Sequence, residues 1–302
     1  MCYGFVMSAG ILKRFGVSER DLIGRGGQSS VYALDGGRVL RVYGAQTNPA
    51  FAPALADFYR ALVVPPLPFA IPRILETGSA DGGSFAIEER LAGAPLRDAM
   101  SGLDPEARDS AARDFMQAAA ALHCIRHPQT VFGEVLTADP VRADDWRDFL
   151  IAKGEARAAT CAAWLTCDVP ELDRALAVYR DVVAALPPPE PCLVHGDYYG
   201  ANVLVAADGH VTAVIDFSHL TLIGDGRLDV VGAWHALEAL GGVSPASRAW
   251  ARTFTMDALG ADADMAFAAY GGYLALLHAG ARGEQPALYR WCVETLNGMA
   301  AG

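Results

Sequence analysis

Apolar and polar residues alternate in short runs over the first ninety residues, the pattern of β-strands with one buried face. Two of the turns between runs are rich in glycine, at Asp35-Gly36-Gly37 and at Ala80-Asp81-Gly82-Gly83, which is typical of hairpins. One stretch, Phe51–Leu62, has a helical pattern instead. We therefore predict an antiparallel sheet with one helix packed on it. The five predicted strands are Asp21–Arg25, Ser30–Leu34, Arg38–Tyr43, Arg73–Thr77 and Ser84–Glu89.

After residue 90 the pattern changes to the helical period. Asp104-Pro105-Glu106 is typical of a helix start, and the helix it begins should run to about Arg126. Two more helices are predicted at 144–163 and 170–186, and about four after Arg227, broken by glycines near 241, 260 and 280. The predicted class is α+β: a β-rich lobe over residues 1–90, and a larger, mostly helical lobe over residues 91–302 with a helical insert at about 130–190.

The segment His195–Asn202 contains the densest group of reactive side chains, and two short apolar runs follow it. If these runs pair as a hairpin about Gly209, Asn202 and Asp216 lie opposite each other, with Cα atoms about 4.5–5.5 Å apart. An amide oxygen and a carboxylate at that separation can share a hard cation such as Mg²⁺. Asp197 remains free to orient or deprotonate a hydroxyl. These residue types at this spacing favour phosphoryl transfer.

Neighbouring residues have structural interpretations. His195 is interpreted as a brace for the loop backbone rather than a proton shuttle. Asp225 and Asp229 are candidates for a third metal ligand, but we favour Asp229 as a helix-start carboxylate that caps backbone amides and braces the loop.

A glycine-rich turn joins the first two predicted strands. Its glycines let backbone amides approach an anion, and two serines add hydroxyl donors, although such a turn is often only a turn. The candidate phosphate-binding residues are Gly24, Gly26, Gly27, Ser29 and Ser30. Arg41 lies inside the third apolar strand, so it either binds an anion, such as a nucleotide phosphate or a carboxylate, or points to water at a sheet edge.

Composition narrows the class of protein. The chain has 302 residues, 52% hydrophobic, with a net charge of −11, which describes a globular protein that does not bind nucleic acid. Its six cysteines have no paired metal or redox spacing, and we expect reduced thiols in a cytoplasmic protein. No apolar run is long enough to span a membrane, and Met1–Gly10 lacks the leading basic region of a secretion signal.

Charge is unevenly divided along the chain. Residues 1–93 contain nine Lys/Arg and eight Asp/Glu, whereas residues 94–302 contain fifteen and twenty-seven. This acidic second region would favour a cationic small molecule, although solubility alone explains it equally well. Six residues are candidates for the lining of the substrate cleft: Asp144, Asp145, Glu171, Trp146, Trp164 and Trp234.

Together these segments resemble the aminoglycoside phosphotransferase family, which has a protein-kinase-like fold. The resemblance is strongest in His195-Gly196-Asp197 and in Val214-Ile215-Asp216-Phe217. It implies ATP and Mg²⁺ as cofactors, with Asp197 as catalytic base, Asn202 and Asp216 as Mg²⁺ ligands, and Gly24–Ser30 over the ATP phosphates. It also implies that the backbone of Ile87–Arg90, which includes Glu88 and Arg90, is the hinge that binds adenine.

Two departures from the family pattern concern the predicted nucleotide lobe. Arg41 stands where the family usually has lysine, and the helix expected to supply a partner glutamate offers only Asp57. Either Asp57 reaches Arg41, Glu76 substitutes for it, or the ion pair is absent. The predicted function is an ATP- and Mg²⁺-dependent kinase for a hydroxyl of a small molecule, such as an amino sugar, choline, homoserine or a macrolide. The alternative is a nucleotide-binding pseudokinase that acts as a scaffold or sensor.

Overall fold

A computed structural model describes residues 9–302, and the Met1–Gly10 prediction falls almost wholly outside that range. Five antiparallel strands form the first sheet, in the order β1-β2-β3-β5-β4. The five predicted strands and the helix are confirmed, with ends that shift by up to three residues. The strands are β1 Leu22–Arg25, β2 Ser29–Leu34, β3 Arg38–Tyr43, β4 Ile74–Ala80 and β5 Gly83–Glu89.

Each face of this sheet is covered by a helix. Helix α1, Ala9–Phe15, was not predicted, and it buries Ile11 and Leu12 against one face. Helix α2, Phe51–Ala61, packs Ala52 on the other face beside Tyr43. The alternation of side chains along each strand therefore sorts this lobe into two small apolar layers.

The rest of the chain is mainly helical, as predicted. Asp104 accepts a hydrogen bond from the Ala107 amide (2.8 Å) and caps the helix that begins at Pro105. The helix predicted over 144–163 ends at Thr160, and a second helix begins after Cys161. The helices are α3 Leu96–Ala99, α4 Pro105–Ala121, α5 Trp146–Thr160, α6 Ala162–Asp168, α7 Leu172–Ala184, α8 Arg227–Ala239, α9 Pro245–Leu259, α10 Ala263–Leu277 and α11 Pro286–Ala301.

Seven short strands lie within this helical part and position the reactive loops. They form a three-stranded sheet in the order β11-β10-β6 and a four-stranded sheet in the order β8-β7-β12-β9. Only β10 and β11 were predicted, because strands of two to four residues give too little alternation to recognise. The strands are β6 Ala94–Pro95, β7 Phe132–Glu134, β8 Arg142–Ala143, β9 Cys192–Val194, β10 Val203–Val205, β11 Val211–Val214 and β12 Leu222–Gly224.

Two further observations concern the whole described chain. The five cysteines after residue 8 are free. Within residues 9–302, no helix combines the length and the apolar character that a membrane crossing requires.

Candidate active site

A buried carboxylate accepts hydrogen bonds from the backbone of the loop that follows β9. Asp229 is 2% exposed, and it accepts hydrogen bonds from the backbone amides of His195 (2.6 Å) and Gly196 (3.0 Å). Burial raises the pKa of Asp229, while His195 and these two amides lower it. The predicted bracing role of Asp229 is confirmed. Asp225 forms an ion pair with Arg227 (2.5 Å), so neither carboxylate is placed as a third metal ligand.

His195 also has the predicted structural position. It is fully buried, its Nε2 lies 2.9 Å from the Ile215 carbonyl oxygen, and its Nδ1 accepts a hydrogen bond from the Asp197 amide at 3.3 Å. The ring therefore joins the Asp197 loop to the end of β11. Gly196 has φ +77°, and a Cβ there would come within 1.9 Å of the Leu220 carbonyl oxygen, so the loop requires glycine at this position.

The predicted pairing of Asn202 with Asp216 is wrong by one residue. Val203 pairs with Val214, and the Ile215 amide donates to the Asn202 carbonyl oxygen at 2.8 Å, so Ile215 lies opposite Asn202. The cause is a β-bulge next to Val205, together with a turn centred closer to residue 208 than to Gly209. Asp216 follows in the left-handed conformation, with φ +70°, which turns its side chain away from the direction the strand would give it.

Asn202 and Asp197 are brought together as predicted. The amide nitrogen of Asn202, which is 4% exposed, donates to the Asp197 carbonyl oxygen (2.9 Å) and to its carboxylate Oδ2 (3.3 Å). Both hydrogen bonds found for this side chain in residues 9–302 use the nitrogen, so its Oδ1 is left for another ligand. Asn202 therefore fixes the Asp197 carboxylate while presenting an amide oxygen.

Arg41 links this loop region to the five-stranded sheet. Its Nη1 donates to Asp216 Oδ1 (3.0 Å) and to the Ser29 hydroxyl (3.1 Å), and its Nε donates to Glu88 Oε1 (2.7 Å). Burial by itself would lower the pKa of Arg41, but Glu88 and Asp216 outweigh it and hold that pKa well above its ordinary value. One guanidinium thus connects the glycine-rich turn, β5 and the residue after the hairpin.

All three alternatives predicted for the carboxylate partner of Arg41 are wrong. Asp57 pairs with Arg60 (2.5 Å) and Glu76 lies 3.9 Å from Arg14, whereas Arg41 forms its ion pairs with Glu88 (2.7 Å) and Asp216 (3.0 Å). In the register of β3 and β5, Val39 is opposite Glu88 and Arg41 is opposite Ala86. Arg41 and Glu88 are therefore diagonal neighbours on one face, within reach of two long side chains.

The glycine-rich turn spans residues 26–28 and is exposed. A Cβ added at Gly26 would meet nothing closer than the Ser29 carbonyl oxygen at 3.9 Å, and one added at Gly27 would meet nothing within 4 Å. The fold itself therefore does not need glycine at either position. Its next residue, Gln28, reaches across to His219, with Nε2 and Nδ1 3.4 Å apart.

Ser29 and Ser30 have different surroundings. Ser29 is on the Arg41 face, but Ser30 is fully buried on the opposite face, because successive side chains of a strand alternate. The prediction that the Ser30 hydroxyl contacts phosphate is therefore wrong for this placement. Its hydroxyl has no hydrogen-bond partner within residues 9–302.

The expected hinge lies at the end of β5. Glu88 is 5% exposed, and its carboxylate is directed to Arg41. The Arg90 amide donates to the Gly37 carbonyl oxygen at 2.8 Å, and the Glu89 amide donates to the Arg73 carbonyl oxygen at 3.1 Å. These two N–H groups are thus already hydrogen-bonded within this lobe.

The six candidates for the substrate cleft are not brought together. Trp146 is 1% exposed in the helical core, and Asp145 caps α5 and pairs with Arg147. Glu171 pairs with Arg174 at 3.3 Å, and the Trp164 indole nitrogen donates to the Ala279 carbonyl oxygen at 3.0 Å. Trp234 lines a separate small cavity of about 50 Å³ between α8, α9 and α10. Asp144 makes no ion pair among residues 9–302. Lys153 of α5 and Glu134 of β7, which form an ion pair beside the sheet that leads to the Asp197 loop, were not predicted as site residues.

The oxygen atoms at this site are suited to a Mg²⁺ ion that also binds water and phosphate, rather than to a metal ion whose ligands all come from the protein. No group of three His, Cys, Asp or Glu side chains in residues 9–302 is arranged to hold a metal. Asp216 supplies a half-exposed carboxylate and Asn202 an amide oxygen. Mg²⁺ is commonly bound by one or two protein oxygens together with water and phosphate oxygens.

The fold and the site together define a protein-kinase-like phosphotransferase: an antiparallel lobe with a glycine-rich turn, facing a helical lobe that presents Asp197, Asn202 and Asp216. Residues 22–276 match the sequence model of the phosphotransferase enzyme family, APH, and the chain belongs to that family. It is a small-molecule phosphotransferase.

Solved structures similar to this chain are aminoglycoside phosphotransferases. A thermostable mutant of APH(4)-Ia, in a ternary complex with AMP-PNP and hygromycin B, has a TM-score of 0.66 at 20% identity and covers 97% of each chain. The streptomycin-ATP complex of APH(2")-IIa has a TM-score of 0.58 at 16% identity, covering 96% of this chain and 95% of that one. A GDP and kanamycin complex of APH(2")-IIia has a TM-score of 0.56 at 17% identity, covering 96% and 97%. At these identities the likeness concerns the fold.

Proposed function

We propose that this protein transfers the γ-phosphoryl group of ATP to a hydroxyl of a small molecule in a Mg²⁺-dependent reaction. The observation that carries the proposal is the position of Arg41 Nη1, which contacts both Ser29 of the glycine-rich turn and Asp216 after the hairpin. Groups suited to phosphate and to metal therefore converge on one cation. Two of the similar structures contain AMP-PNP or ATP and one contains GDP, so the majority supports ATP as the nucleotide.

Each group has a defined task in this proposal. Asp197, fixed by the Asn202 amide, accepts the acceptor's hydroxyl proton or holds that hydroxyl in line with the γ-phosphorus. Asn202 and Asp216 hold Mg²⁺, which supplies charge neutralisation at the phosphates. Arg41 and the exposed amide of Gly27 bind phosphate oxygens, since the Gly26 amide already donates to the Ser29 carbonyl oxygen at 2.9 Å, and the backbone around Glu88–Arg90 receives adenine. Alignment and fixed charge supply most of the acceleration in such sites.

The alternative of a pseudokinase loses one of its two supports. It rested on arginine in place of lysine and on the absence of a helix glutamate. Glu88 supplies the missing carboxylate from a strand, at 2.7 Å from Arg41 Nε. One arginine guanidinium can bind two phosphate oxygens at once, so arginine in place of lysine changes the geometry of the phosphate contact rather than removing it. The free thiols and the use of ATP are consistent with the cytoplasmic location that we also propose.

Single substitutions at the two aspartates test the proposal. Asp216→Asn should abolish the Mg²⁺ dependence of ATP binding measured by titration calorimetry. Asp197→Asn should keep that binding and lose phosphotransfer to a panel of alcohols by at least ~10²-fold. Asp208→Asn, in the exposed hairpin turn, is the matched control and should change neither quantity. Parental turnover in Asp216→Asn would overturn the assignment.

A further inference from the structure

Two cations of α5 lie close to the Asp197 loop. Lys153 and Arg157 are one helical turn apart, so their side chains leave the same face of α5. Lys153 forms an ion pair with Glu134 of β7, and Arg157 donates from Nε and Nη2 to the Leu277 carbonyl oxygen, at 3.2 and 3.1 Å. Both side chains are partly buried.

The register of the four-stranded sheet places this pair beside the candidate active site. Glu134 is opposite Leu222, and Leu222 is opposite Val194, three residues before Asp197. Two strand spacings separate the Glu134 and Val194 backbones by about 10 Å. Because β12 is antiparallel to both neighbours, β7 and β9 run in the same direction. Their last residues, Glu134 and Val194, therefore lie at the same edge of the sheet.

Two histidines interact electrostatically with both Asp197 and Arg157. Burial lowers the pKa of His219, and Asp197 raises it while Lys153 and Arg157 lower it. Burial also lowers the pKa of His278; Arg157 lowers it further, whereas Asp197 raises it. His278 directly follows Leu277, the residue whose carbonyl oxygen accepts from Arg157. Asp197 and both cations are thus close enough to act on the same histidine, His219.

The two cations of this region differ in their partners. The Glu134 carboxylate is 4% exposed and is already satisfied by Lys153, the Thr137 hydroxyl (3.1 Å) and the Val141 amide (2.9 Å). Arg157 has no carboxylate within 4 Å among residues 9–302, and its only hydrogen-bond partner there is a helix-end carbonyl oxygen. Capping of α10 explains that one contact, but it uses only part of the guanidinium and leaves its charge without an anion.

We infer that the phosphate acceptor carries an anionic group, a carboxylate or a phosphate, which binds at Lys153 and Arg157 while its hydroxyl faces Asp197. This rests on the proposed phosphotransferase function and names the class of its substrate. It differs from the cationic acceptor that the acidic composition of residues 94–302 favoured, because Asp145 and Glu171 are already paired with arginines, whereas Arg157 has no carboxylate within 4 Å among residues 9–302.

Paired alcohols test the inference directly. Turnover with Mg²⁺ and ATP is compared for glycerate against glycerol, serine against serinamide, and glycerol 3-phosphate against glycerol, with kanamycin as a polycation. We expect kcat/KM to be at least ~10-fold higher for the anionic member, as one charge-assisted hydrogen bond would give. The first two pairs report a carboxylate and the third a phosphate. A preference for kanamycin or for the members that lack the anionic group overturns the inference.

Variants of the two cations supply the second arm. Arg157→Gln and Lys153→Met should raise KM for the preferred anion at least ~10-fold, with KM for ATP unchanged, and Arg157→Lys should restore part of the loss. Arg147→Gln, which removes another α5 cation already paired with Asp145, is the matched control. Melting temperatures of the variants without ligand show whether each one folds.

A binding measurement decides the case in which no tested alcohol is phosphorylated. With the protein saturated by Mg²⁺ and ADP, glycerate should raise the melting temperature more than glycerol does, and Arg157→Gln should abolish the difference. An equal rise with both compounds overturns the inference. Failure of Mg²⁺ and ATP to bind would instead overturn the proposed function, so the two failures are distinguishable.

Discussion

Removing the Glu88 carboxylate should destabilise the protein, because it leaves the Arg41 guanidinium buried with one charged partner fewer. The Arg41 and Glu88 side chains are 12% and 6% exposed, and they share contacts of 2.7 and 3.4 Å. Loss of one partner of a buried ion pair typically costs about 3–5 kcal/mol. Since Asp216 still contacts Arg41 at 3.0 Å, we expect about 2–3 kcal/mol for Glu88→Gln.

A double-mutant cycle isolates this interaction. Arg41→Met should cost about 3–5 kcal/mol, because Glu88 would then be a buried charge without its cation. The double variant should be destabilised by less than the sum of the single effects, by at least ~1.5 kcal/mol. Urea unfolding of the four proteins at one pH gives each free energy of unfolding.

The control cycle uses a pair of similar geometry in water. Arg73 and Glu89 approach to 3.0 Å, but their side chains are 72% and 46% exposed. Solvent screens such a pair, so its interaction energy should stay below ~1 kcal/mol. If the interaction energy of Arg41 and Glu88 is no larger than that of the control, burial does not strengthen this pair and the reasoning is refuted.

Three further substitutions test local features. Gly27→Ala should change the free energy of unfolding by no more than ~0.5 kcal/mol, since the added Cβ meets nothing within 4 Å. The same variant should raise KM for ATP, because the methyl group crowds the phosphates. An unchanged KM contradicts a phosphate role for the turn. Gly196→Ala should cost at least ~2 kcal/mol in urea unfolding, because φ is +77° and the Cβ would lie 1.9 Å from the Leu220 carbonyl oxygen. Burial lowers the pKa of His235 from 6.5 to about 4, so the unfolded chain binds the extra proton first and stability falls by up to about 3 kcal/mol as pH drops from 6.5 to 4. His235→Phe should flatten that part of a pH series of unfolding measurements, and an unaltered slope argues against a buried neutral imidazole.

Local pattern was sufficient for the five-stranded sheet and most of the helices. Strand alternation and glycine turns identified β1 to β5 within three residues, because each signal lies in consecutive residues. The partner of Arg41 had no such signal. Glu88 is 47 residues away, and it reaches Arg41 only because β5, rather than the earlier strand β4, pairs with β3.

The acceptor side shows a second limit of composition. The excess of acidic residues belongs to the whole of residues 94–302, and it says nothing about which side chains reach the site. Asp145 and Glu171 are both used by arginines two or three positions away in sequence. Lys153 and Arg157, by contrast, belong to α5, which packs on β7, and β7 lies in the same sheet as β9, the strand that leads to the Asp197 loop. The charge at the site therefore depends on which side chains the fold brings there, not on the average charge of residues 94–302.

The predicted pairing of Asn202 with Asp216 depended on a hairpin register that the chain does not have. The bulge beside Val205 moves Asp216 past the last strand pair, and its φ of +70° then re-aims the carboxylate toward Arg41. Nothing in the sequence marks a left-handed residue here, because aspartate adopts that conformation only occasionally. Asparagine tolerates it equally well, so Asp216→Asn should preserve the turn and remove only the charge. A β-branched residue such as valine would be strained at this φ. Loss of Mg²⁺ dependence in the asparagine variant therefore reports on the carboxylate itself and not on a disturbed backbone.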